Sequence, residues 1–339
     1  MMTKEQLRKQ ADFVASEFTK LNDEFLTMYG YLILDQLNGR KPPYRKEINS
    51  LVSKSMLRTR TVKRNMDKVF KRQIKEYDFK KKMDDYFVMF PSELDDLHNN
   101  MVISVKENGK VTYLSLNDAV KRIDDADENK LERLAKQIAD SGLRVIYNDT
   151  SYRIDNFVRY AVLKGIKDIN LKVQDVLAEE MGANGWEIDY HDNPRPSHAY
   201  MGGKQFVIGK ARRINGIFFE SFEEVALPRL IEPNCLHFKI PIICGVTKPQ
   251  YDEEQLAKWK EMDASKVKYK ERTYTKYEAT QVQKRLEEAI RQCDDRLKIA
   301  SPAQLDYLRR IELSKRRTLF KEYERFSKAC GLEMKMKNR

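Results

Sequence analysis

Trp186-Glu-Ile-Asp-Tyr-His191 alternates bulky apolar with polar residues, and that period of two predicts a β-strand ending at a histidine. The chain continues Asp192-Asn-Pro-Arg195-Pro196-Ser197-His198-Ala199-Tyr-Met-Gly202-Gly203-Lys204-Gln-Phe206. A short echo follows at Pro233-Asn234-Cys235-Leu236-His237-Phe238. The whole chain has 4 histidines, and His191, His198 and His237 fall in these two pieces. Cys235 precedes His237 by two residues, a spacing that puts both on one face of an extended segment. Imidazole and thiolate gathered in this way suit three arrangements. One is a structural metal site with His191, His198, Cys235 and His237 as ligands, zinc being the expected metal and no other cofactor being expected. Another is a metal-free knot in which the histidines tie loop backbones together. The third is catalysis, with Cys235 as nucleophile, a histidine as base, and Asp189 or Asp192 to orient it.

Outward from this stretch the texture turns helical. Upstream, Ile154, Phe157, Val158, Ala161, Val162, Ile166, Ile169, Val173, Val176, Leu177 and Met181 recur with helical spacing, and Gly182 stops the run. Before that helix, Val102–Val105 and Val111–Leu114 flank Asn108-Gly109, a β-hairpin signal. A helix capped by Asn117 or Asp118 should then run through Ile138, with a strand at Val145–Tyr147. Downstream, Phe206–Ile208 reads as a strand and Ser221-Phe-Glu-Glu224 as a capping box. Past Pro249 two basic helices are seeded by Tyr274, Tyr277, Val282, Leu286 and Ile290, and by Leu305, Leu308, Ile311, Leu319, Tyr323 and Phe326.

At the N-terminus, Leu7, Ala11, Val14, Phe18, Leu21, Phe25, Met28 and Leu32 step by four and three, the seam of a helix that packs on another helix. Asn38-Gly39 and Pro42-Pro43 end it. Residues 53–82 then hold twelve Lys and Arg against three acids, on a helix whose apolar stripe includes Leu57, Val62 and Met66. Arg58, Arg60, Lys63, Arg64, Lys68, Lys71, Arg72 and Lys75 are expected to face an anion, either nucleic acid or an acidic protein partner. A solvated charged face is the plainer reading of the same run. The fold class that follows is α+β: a mostly helical chain with a small central mixed or antiparallel sheet and flanking helical segments. Residues 1–100 would form the N-terminal helical region, 101–250 the central α+β domain with the His/Cys cluster, and 251–339 the basic helical region.

The 339 residues carry a net charge of +12, and 34% are charged, which favours an anionic partner. Four cysteines at 235, 244, 293 and 330 have no paired spacing, so a reducing compartment is expected rather than a disulfide framework. The polar N-terminus predicts no signal peptide, and no run is long enough for a membrane span. No Gly-rich phosphate loop, nucleophile elbow or His-Glu-x-x-His motif is present.

Several of these motifs together are similar to a known family. Arg195-Pro196-Ser197-His198-Ala199, the Gly203-Lys204-x-Phe206 that follows and Asn234-Cys235-x-His237 resemble the signature of tailed-bacteriophage minor capsid proteins. The group is that of minor capsid protein 2, related to the phage Mu F-like head-morphogenesis proteins. The likeness extends to Asn156-Phe-Val-Arg159, to Tyr274-Thr-Lys-Tyr-Glu-Ala-Thr-Gln281 and to Phe326-Ser-Lys-Ala-Cys-Gly331. It departs at Met201-Gly202, where the family commonly has Trp-Gln, and at Leu236, where it commonly has Arg. The resemblance implies a non-enzymatic virion protein of the head interior or portal vertex, assembled in the bacterial host cytoplasm. Its partners would be the portal protein or the major capsid protein, with packaged DNA as a further one, and it would assist assembly and DNA packaging or ejection. The rival from another class is a metal-dependent nuclease acting during packaging, which would need an open water position on the metal.

Overall fold

A computed structural model describes residues 4–40, 44–76, 94, 97–232 and 234–336. Pro42-Pro43, Pro233, residues 77–82 of the basic stretch, and the side chains of Arg72 and Lys75 lie outside the described residues. The expected α+β class is the observed one. Contacts separate two compact units, one of residues up to Gly165 with Leu286–Tyr323, the other of Ile166–Arg285 with the residues from Glu324 onward.

The first unit is built on α1 (Lys4–Leu37). Its seam residues Leu7, Ala11, Val14, Phe18, Leu21, Phe25 and Leu32 are all buried, whereas Met28 is half-exposed. Leu26, Tyr29 and Ile33 are buried too, so the helix is covered over a wider arc than a two-helix seam needs. Helix α2 (Tyr44–Glu76) packs against it. The hairpin of β1 (Met101–Glu107) and β2 (Lys110–Ser115) turns at Asn108-Gly109, both with positive φ as its tight turn demands.

The expected helix through Ile138 is two helices, α3 (Leu116–Asp124) and α4 (Glu128–Ser141). Ser115, not Asn117 or Asp118, caps the first by accepting from the Asp118 N–H, and Asp127 caps the second. Strands β3 (Arg144–Tyr147) and β4 (Thr150–Arg153) complete an antiparallel sheet ordered β2-β1-β3-β4. Helix α5 (Ile154–Met181) follows directly.

The second unit holds a mixed five-stranded sheet. Its strands are β5 (Gly185–Ile188), β6 (Gln205–Val207), β7 (Arg212–Ile214), β8 (Ile217–Ser221) and β9 (Lys239–Ile242), in the order β7-β8-β6-β5-β9. Only the β6–β8 pair is parallel; β5 lies antiparallel between β6 and β9. All four β5 residues are buried, so the alternation read from the sequence marks two covered faces rather than one wet face. Trp186 and Ile188 join a core with Met201, Phe206, Phe222 and Leu230. On the other face, Glu187 is held by the Gln205 amide and the Gln250 N–H. Gly185 is fixed by space, since a Cβ there would lie 2.2 Å from Cys244 Sγ and 2.6 Å from the Phe206 carbonyl oxygen. The chain closes with α6 (Leu227–Leu230), α7 (Glu253–Ala264), the hairpin β10 (Lys266–Tyr269) with β11 (Arg272–Thr275), and the long helices α8 (Lys276–Ala300) and α9 (Asp306–Ala329).

Candidate metal centre

The site lies in the second unit, where two loops leave the neighbouring strands β5 and β9. Asp189 stitches them together: its N–H donates to the Phe238 carbonyl at 3.1 Å, and its carboxylate accepts from the Phe238 N–H at 2.7 Å. That pairing sets His191 and His237 on adjacent chains. The Arg195-Pro196-Ser197-His198 segment then makes a tight turn, in which the His198 and Ala199 N–H groups donate to the Arg195 carbonyl at 2.8 and 3.0 Å. The Ser197 carbonyl accepts from Arg229. Gly203, at φ 77°, returns the chain to Ile188. That positive φ favours glycine, and a Cβ there would also push on the Leu256 methyls at 2.5 Å. Asn234, at φ 58°, supplies a second left-handed turn just before Cys235.

These turns bring His198, Cys235 and His237 together across 37 residues of sequence. Each is buried, with 1%, 5% and 1% of its surface exposed, and one ligand atom from each lies within 4.8 Å of the others. Cys235 Sγ is 3.7 Å from His237 Nδ1. Around a tetrahedral zinc the ligand bond lengths of about 2.0–2.3 Å place donors about 3.5 Å apart. The Cys235–His237 pair already has that separation. The donor set of one thiol and two imidazoles is one that zinc favours. Three groups leave the fourth tetrahedral position to another donor.

His191 is not part of this trio. Its ring packs on that of His237, tilted by 40° with centroids 4.1 Å apart, and its Nδ1 lies 2.9 Å from the Asp192 carbonyl. The orienting carboxylate is likewise a different residue from the two expected. Asp189 binds backbone, and the Asp192 carboxylate faces Lys276 at 3.5 Å. Glu232 takes the role, its Oε2 standing 2.8 Å from His198 Nε2 and 3.2 Å from the Arg195 guanidinium. The His198 hydrogen bond holds the Glu232 carboxyl below its ordinary pKa. A carboxylate on one imidazole nitrogen fixes the tautomer and ring angle, as it does behind metal-bound histidines. Lys167 is a further residue missed from sequence: its ammonium donates to the Leu230 and Cys235 carbonyls, and burial lowers its pKa. No spacing announces either residue, because both act from segments that only the fold makes adjacent.

The remaining motif residues serve the scaffold. Lys204 lies 3.1 Å from the Tyr200 ring centroid, and Arg195 pairs with Glu232. On α2 the expected basic face is divided. Arg58, 18% exposed at its side chain, joins Lys54 in binding Glu24 at 2.8 Å, so it belongs to the α1–α2 packing and not to an outer face. Lys63 is half-buried, while Arg60, Arg64, Lys68 and Lys71 are exposed.

The family model of phage minor capsid protein 2 matches residues 52–322, and the chain belongs to that family. It is a structural component of the bacteriophage virion and meets other components of the phage head. Comparisons with curated proteins and with solved structures gave no match. Among the described residues, no helix is long and apolar enough to cross a membrane.

Proposed function

We propose that this protein is a non-catalytic, portal-proximal component of the phage head, which assists capsid assembly and DNA packaging or ejection. Its second unit would be pinned by a zinc ion on His198, Cys235 and His237. The observation that carries the non-catalytic reading is the burial of the trio. With Cys235 95% withdrawn from solvent and both imidazoles more so, a substrate has no approach to the thiol. Bound there, zinc would tie the loop after β5 to the loop before β9 and contribute folding energy. Glu232 would orient His198, and Asp189 would hold the two loops in register. The family supports placement in the head, and the exposed Arg60, Arg64, Lys68 and Lys71 support docking on an acidic surface of the portal or major capsid protein.

Two measurements test this reading. The purified protein should hold about one zinc per chain, and Cys235→Ser should lower both the zinc content and incorporation into heads. A Cys235→Ser variant that folds normally and assembles, but loses a hydrolytic activity that the parent has, would overturn the non-catalytic reading. Cross-linking in assembled heads should join α2 to the portal or capsid protein. Recovery of the protein only from empty lysate fractions would remove the portal assignment.

A further inference from the structure

Helix α9 carries a cationic stripe distinct from that of α2. With 3.6 residues per turn, Arg310, Arg317 and Lys321 lie within about 40° of one line along the helix and span about 16 Å. All three are exposed, and among the described residues none of them has a carboxylate partner. Tyr307, 67% exposed, and the exposed Ser314 and Thr318 stand on the same side. The exposed carboxylates bound the line at its two ends: Asp306 in the first turn, where the helix dipole accommodates it, and Glu324 one turn past Lys321.

Several cations on the unit's other helices are paired. Lys121, Lys130 and Arg291 each meet an acid one turn away, at Asp118, Asp127 and Glu288. Of the other cations of α9, Arg316 is matched by Asp294 and Lys315 by Glu312, whereas the exposed Arg309, Arg325 and Lys328 have no carboxylate partner among the described residues. Arg310, Arg317 and Lys321 are the ones that line up along the helix.

We infer that this line binds the phosphate backbone of duplex DNA. Arg, Lys, Ser, Thr and Tyr are the side chains that contact phosphate, and they are the ones assembled here. A duplex presents a negative charge about every 1.7 Å of its axis, so a 16 Å row of cations faces several phosphates at once. A protein partner would need an apolar centre to its interface, and no aliphatic side chain is exposed along this line. The α2 face differs on that point: Leu57, 64% exposed, and the exposed Asp67 sit among its cations. The inference is independent of the zinc site and of the portal assignment.

The experiment uses the full-length protein and a fluorescein-labelled duplex of random sequence, with anisotropy followed over a salt series. The triple variant Arg310→Gln, Arg317→Gln, Lys321→Gln should weaken binding at least about tenfold near 100 mM salt. It should also reduce the slope of log affinity against log salt by about 2–3, the loss expected for three phosphate contacts. The control Lys106→Gln, Arg133→Gln, Lys136→Gln removes the same charge elsewhere in the first unit and should change the slope little. Circular dichroism melts should stay at the parent value for both variants. An unchanged slope in the α9 variant, or equal losses in the two variants, would overturn the assignment. So would a parent protein that binds poly-glutamate as tightly as DNA at equal charge.

Discussion

The two compact units share buried, partnered charges, but only the second adds a buried cluster of metal-ligating groups. In the first, Arg153 is 8% exposed at its side chain and lies between Asp155 and Asp295, with Arg291 reaching Asp155 and Lys298 reaching Asp295. A second knot sets Glu312, 1% exposed at its side chain, against Arg296 and Lys315. Every buried charge there meets its opposite within the unit. In the second unit Glu187 and Lys239 are buried and partnered too, by the Gln205 amide and by Asp175, but beside them lie His198, Cys235 and His237, with one carboxylate, Glu232, at the rim. Charge pairs close on themselves. Ligand groups are closed by a tautomer arrangement or by an ion that is not part of the chain, and the unit that contains them gains a dependence the other lacks.

The largest effect should come from breaking the first knot. Arg153→Met leaves Asp155 and Asp295 buried with fewer cations, and unfolding by urea should show a loss of about 3–5 kcal/mol. A loss below about 1 kcal/mol would mean that water reaches the pair, and the contrast between the units would fall.

Next in size is the metal. At zinc a hundredfold above its dissociation constant the ion should add about 2.7 kcal/mol, so a chelator should lower the melting temperature of the parent and leave Cys235→Ser unmoved. If the parent melts identically with and without chelator, the trio is closed by hydrogen bonds alone.

A third test separates charge from mere polarity. Burial works to raise the Glu312 carboxyl, but Arg296, helped by the Cys293 thiol and Lys315, holds it below its ordinary pKa. A carboxyl depressed on folding stabilises the protein above its unfolded pKa, and that contribution fades as pH falls through the folded value. Glu312→Gln should therefore cost about 1–3 kcal/mol at pH 7 and progressively less below about pH 4. A penalty that does not change with pH would show that shape, not charge, holds Glu312.

The smallest effect is expected outside both knots. Arg64→Gln on α2 and Arg317→Gln on α9 should each shift stability by no more than about 0.5 kcal/mol in thermal melts. A larger shift would mean that these faces help to hold the fold.

Much of this organisation was legible without coordinates, and the reason is locality. The buried residues of α1 follow a four-three spacing, and α5 starts and stops where its periodicity and Gly182 say it should. Asn108-Gly109 announces its hairpin, since few residues other than glycine and asparagine take up positive φ cheaply. Even the trio was visible as composition, because histidine is scarce enough in this chain for a cluster to stand out. Where local signals compete, reading fails: Ser115 outcompetes Asn117 as the cap, and Asp125–Asp127 interrupts what looks like one helix.

The sequence by itself determined which segments are helical, where the tight turns fall and which residue types were available to bind a metal. Tertiary structure alone decided which of them meet. Arg153 and Asp295 are 142 residues apart and His198 and Glu232 are 34 apart, and no periodicity within a segment encodes such pairings. They are selected because an uncompensated polar group is costly once water is removed, and whether water is removed depends on how the helices and strands pack.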